Sequence, residues 1–126
     1  MPHRFQLHCL AILIALLAHS ASAKRIAPAD VAPVVQGTTE YRAPVTRPGC
    51  IEARDPKTDT AWWRQIYVLV YDPSLEKDVQ DVFIKEIKAV EGGLQIVNER
   101  GDIYKLDLKT MAVEVVKGSL IVKKGQ

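Results

Sequence analysis

The sequence predicts a mainly β fold: two antiparallel meander units packed as a small sandwich, with one short helix between them. Three observations carry that reading. Ala61 to Tyr71 is dense in aromatic and β-branched residues. After Gly93, short alternating runs are separated by turn residues. Two stretches, one starting at Gly49 and one at Gly101, match each other at an offset of 52 positions, which marks a repeated supersecondary unit.

Residues 1–23 read as a secretory leader. Met1-Pro2-His3-Arg4 is a short basic start, Cys9 to Ala18 is apolar, and Ala21-Ser22-Ala23 is a small-x-small cleavage site. The apolar run is about half the ~20 residues that a spanning helix needs. Removing 23 of the 126 residues leaves 103, enough for one domain with an adequate core. Arg4 is the only charge lost, so 17 basic residues become 16 against 15 acidic, a net charge of +1. The signs are interspersed, which argues against sequence-independent nucleic-acid binding. The expected destination is the periplasm or the exterior, with no transmembrane segment in the mature chain.

Lys24 to Val34, with Pro28 and Pro33, reads as an extended or loose arm, and residues 35–126 as a single β-rich domain. Prolines 44 and 48 around Thr38 to Arg42 suit an edge strand broken by turns. Ala61 to Tyr71 is apolar at both odd and even positions, as expected of a central strand covered on both faces. Asp72-Pro73-Ser74-Leu75-Glu76 has a capping aspartate, proline at the first helical position and acid in the first turn, so a short helix is expected there. Leu75, Val79, Val82, Phe83, Ile87 and Val90 continue at helical spacing, which defines an alternative α+β fold with a longer helix over 73–91. The repeat instead makes Val82 to Val90 a strand, and that is the reading adopted. Leu94 to Asn98, Ile103 to Leu108, Met111 to Val116 and Leu120 to Val122 complete the meander.

The repeat aligns Gly49-Cys50-Ile51-Glu52-Ala53-Arg54-Asp55-Pro56-Lys57-Thr58 with Gly101-Asp102-Ile103-Tyr104-Lys105-Leu106-Asp107-Leu108-Lys109-Thr110. Glycine turns the chain into a strand, and aspartate and threonine hold the bend that ends it. With the continuation to Trp63, the first copy resembles the blade repeat of quinoprotein-type β-propellers. That family reads Ala-x-Asp-x-x-Thr-Gly and then tryptophan, matched here at Ala53, Asp55, Thr58 and Trp63, with Asp59 in place of the glycine. The second copy keeps Gly101, Asp107 and Thr110 and has Met111 and Val115 at the glycine and tryptophan positions. The resemblance implies a structural tryptophan packed between blades. It carries over no active-site residue and no cofactor. A closed propeller needs about four blades or more, and this chain has room for two.

Every histidine (His3, His8, His19) lies in the leader, and Cys50 is the only mature cysteine. Zinc and copper sites and imidazole-based nucleophilic catalysis therefore lack their side chains, and no metal or cofactor is expected. Asp55 to Asp59 and Asp78 to Asp81 lack the spacing of a calcium loop. Cys50 fits an inert buried thiol, an intermolecular link or a reactive group. Trp62 and Arg64 are candidate partner-binding residues, because tryptophan and arginine are enriched at binding hot spots. Both tryptophans in the core is the plainer reading. The function expected is a small exported non-enzymatic domain that binds a protein or cell-envelope partner. The alternatives are a small hydrolase using carboxylates such as Glu52 and Glu99, and a structural homodimer.

Overall fold

The computed structural model describes residues 24–124; the expected leader, 1–23, lies outside the described residues. Ten strands and no helix are found among them. Sheet A is a meander of β1 (Val34–Gln36), β2 (Thr39–Arg42), β3 (Cys50–Asp55) and β4 (Thr60–Gln65), antiparallel throughout. Between the two meanders, β5 (Val68–Val70) leaves sheet A. Sheet C is a second antiparallel meander of β6 (Ile84–Val90), β7 (Gly93–Asn98), β8 (Ile103–Asp107) and β9 (Val113–Lys117). The last strand, β10 (Ile121–Lys123), returns to lie parallel to β5, and this pair is sheet B.

The mainly β architecture with two meanders is as the sequence predicts, and so is the strand over 84–90. The helix is not. Asp72 does cap the backbone N–H of Ser74 at 2.9 Å, and single turns close from Leu75 N–H to Asp72 O and from Gln80 N–H to Lys77 O. The turn goes no further because the buried side-chain amide of Gln80 donates to the carbonyls of Asp72, Leu75 and Glu76. Leu75 O and Glu76 O are thereby turned to Gln80 instead of a helical ladder, while Val82, Phe83 and Ile84 are drawn into the interior. A bulge at Lys85 shifts the β6–β7 register, so Ile84 and Ile87 both face inward although three residues apart, and the strand alternation is hidden.

Ala61 to Tyr71 is not a central strand. It breaks after Gln65, and the consecutive residues Ile66 and Tyr67 are both buried. Consecutive burial requires the chain to pass through the core instead of alternating across a sheet. The apolar character of the segment reflects that passage. β4, expected to be covered on both faces, is the outer strand of sheet A. The arm 24–33 has no regular structure, yet it is tied down. Arg25 reaches Asp78, the Asp81 carbonyl and Glu99, Asp30 accepts the N–H of Val45, and Val31 packs on the core.

One buried cluster joins all three sheets, with Ile51 and Ala53 from β3, Leu94 and Ile96 from β7, Leu106 from β8 and Val122 from β10. At its centre the rings of Tyr67 and Tyr104 stack at 5.3 Å and 20°. They are 1% and 0% exposed. Their hydroxyls donate to carbonyls, Tyr67 to Val82 O at 2.6 Å and Tyr104 to Ser119 O at 2.5 Å. Burial pushes both phenols up, Tyr104 to about 12. Gly49 makes room for this: a Cβ there would come within 2.6 Å of the Tyr67 carbonyl. Tyr67→Phe keeps the ring and removes the donor to Val82, so a loss of about 1–3 kcal/mol in urea unfolding is expected. A loss below about 0.5 kcal/mol would show that the hydroxyl holds nothing.

Candidate partner-binding edge of sheet A

Strand register assigns the faces of sheet A. Tyr41, Ala53 and Trp62 lie in one row across β2, β3 and β4, and Tyr41 and Ala53 belong to the core. Trp62 is therefore on the core-facing side, at its open rim, edge-to-face with Tyr41 at 6.1 Å and 67°. The next row, Arg42, Glu52 and Trp63, is on the outer face. Trp62 and Trp63 are 37% and 39% exposed, so neither is a fully buried core residue.

Arg64, expected beside Trp62 as a free recognition residue, is committed elsewhere. Its Nε donates to Met111 O at 2.9 Å and its Nη1 to Gln65 O at 3.2 Å, which ties β4 to the turn before β9. The guanidinium that sits on a tryptophan is that of Arg47, 4.2 Å from the Trp63 ring centroid. Arg47 was not legible as a site residue. Prolines 44 and 48 announce a turn there, and that turn, closed by Arg47 N–H to Pro44 O and Cys50 N–H to Arg47 O, swings Arg47 over β4. Beside Trp63, Glu52 is buried against Arg54, and Arg54 also reaches Asp59.

The repeat residues occupy matching places. Gly49 and Gly101 precede the third strand of their meanders with φ of 80° and 82°. Asp55 accepts the N–H of Lys57, and Asp107 accepts those of Lys109 and Thr110. Thr58 pairs with Thr60 through their hydroxyls. Asp59 and Met111, at the two positions where the blade motif has glycine, are the non-glycine residues with positive φ among the described residues, 53° and 63°. Left-handed backbone there is what a glycine would supply without strain.

The carboxylates do not converge. Glu52 lines a cleft with Val31, Pro33 and Arg42, and Glu99 lines a different one with Arg25 and Val82. Glu99 is held by Arg25 at 2.5 Å and by the Phe83 N–H. Asp78 accepts from Arg25 and Val79, and Asp81 from the Tyr71 hydroxyl. Among the described residues, no three His, Cys, Asp or Glu side chains group as metal ligands. No described helix is long and apolar enough to cross a membrane. Cys50 is half-buried with no disulfide, and burial pushes its thiol up against the opposing pull of Arg47.

The chain matches no family model, no curated protein and no solved structure.

Two outcomes follow from these environments. Because its thiolate is disfavoured, Cys50 reacts with a disulfide reagent at pH 8 several-fold more slowly than a free thiol, and reaches the free rate on unfolding; a folded-state rate equal to or above the free one contradicts the burial. The Asp107 carboxylate is held below the usual carboxylate range by the N–H groups of Thr110 and Lys109. Its contribution is therefore complete above the unfolded value of about 3.9 and is lost as pH falls through the lower folded value. Urea midpoints of Asp107→Asn accordingly fall less steeply than wild type between about pH 5 and 2.5, and parallel curves would remove Asp107 from the acid response.

Proposed function

We propose that this chain is a small exported non-enzymatic domain that binds a protein or cell-envelope partner through β4. One observation carries the proposal: the outer strand of sheet A has no neighbour on its far side and bears two half-exposed tryptophans. Ile66 N–H donates to Gly49 O at 2.8 Å, which starts the β3–β4 alternation. The backbone groups of Gln65, Trp63 and Ala61 consequently point away from β3, and of these the Gln65 carbonyl is taken by Arg64. An open backbone edge flanked by aromatic anchors is what strand addition uses: main-chain pairing for affinity and side-chain contacts for selectivity. Arg47 stacked on Trp63 enlarges the flat outer surface.

The blade resemblance supports the same edge. In that family the motif tryptophan packs between neighbouring blades, and here the matching Trp63 has no second blade against it. A partner that lays a strand or sheet against β4 would bury the ring. The export part of the reading rests on the leader in the sequence. The hydrolase alternative is not favoured, since Glu52 and Glu99 line separate clefts.

The test is capture from the exported or envelope fraction with the tagged chain from Lys24. Trp63→Ala is expected to lower retention of the captured partner at least tenfold, as hot-spot truncations do. Ala61→Pro, which removes an outward N–H from the edge, is expected to do the same while circular dichroism stays unchanged. A partner retained equally by wild type and both variants rules out this edge.

A further inference from the structure

The β5–β10 ribbon is a second surface, separate from β4. Parallel strands normally occur inside sheets covered on both faces, yet this pair stands alone. Its inner side is complete, with Val122 and Leu69 packed on the core. Its outer side carries Val68, Val70 and Ile121 at 46%, 43% and 51% exposure. Register puts Lys123 beside Val70 on that outer side. Exposed Leu75 closes the neighbouring cleft together with Lys123 and Lys124.

From the geometry we infer that this face docks on an anionic lipid surface. Charge supports it. From Ser119 to the C-terminus the chain carries Lys123 and Lys124 and no acid. Lys24 and Lys77 are exposed as well, so four exposed lysines stand against two exposed carboxylates, Asp72 and Glu76, while Asp78 and Asp81 are part-buried. Aliphatic side chains with lysines beside them are the composition of an interfacial surface, where the lysine stems lie along the apolar atoms and the ammonium groups meet headgroups.

The chain from Lys24, which contains every described core residue, is sedimented with vesicles of phosphatidylcholine alone or mixed with phosphatidylglycerol. Binding is expected only with the anionic mixture and weakens as salt rises. Lys123→Gln with Lys124→Gln lowers the partition coefficient about five-fold per charge. Val70→Ser with Ile121→Ser lowers it about tenfold through lost apolar contact. Trp63→Ala leaves it unchanged, so failure of this inference is distinguishable from failure of the β4 edge. No binding, equal binding to neutral vesicles, or indifference to both double variants overturns the inference. So does a lipid-free dimer that Val70→Ser with Ile121→Ser dissolves, which would make a second copy the occupant.

Discussion

The stack of Tyr67 on Tyr104 is the contact on which the other features depend. Tyr67 belongs to the segment that leaves sheet A, Tyr104 to the centre of sheet C, and each hydroxyl is satisfied by a carbonyl from a further segment. Ten short strands in three sheets would otherwise be separate ribbons, and small ribbons are marginal in water. With no disulfide among the described residues, burial around this pair must supply the cohesion. A fully buried phenol is tolerated only when its O–H is paired, and here both are.

That constraint also decides what is left outside. Passing the chain through the core at Ile66 and Tyr67 ends β4 and starts β5 in a new direction. It leaves β4 at the margin of sheet A with an open backbone edge, and places β5 where only β10 reaches it. Both exposed surfaces, the tryptophan-bearing edge and the aliphatic ribbon, follow from one break in one apolar run. Among the described residues, no three His, Cys, Asp or Glu side chains group together.

Much of this was legible in the sequence, and the remainder was hidden for identifiable reasons. The turns at Gly49 and Gly101 and the bends at Asp55 and Asp107 are local backbone requirements, and local signals report them. The helix over 73–80 failed because Gln80 competes for the same carbonyls, a contact that no propensity scale contains. The strand over 84–90 was masked because a bulge at Lys85 adds one residue to a period of two. Ala61 to Tyr71 read as central because apolar on both faces describes a covered strand and a core crossing equally well. Pairing of β5 with β10, the strut from Arg64 to Met111 and the seat of Arg47 on Trp63 are non-local and leave no pattern within one segment.

Native-state hydrogen exchange on the chain from Lys24 tests the central claim most directly, because it reads cohesion and openness together. One core predicts that the amides of Ile51 in sheet A and of Ile96 and Leu106 in sheet C exchange slowly, with the same opening free energy. The open edge predicts rapid exchange at Ala61, Trp63 and Gln65. Separate opening energies for the two sheets, or edge amides as protected as those of Ile51, would contradict the account.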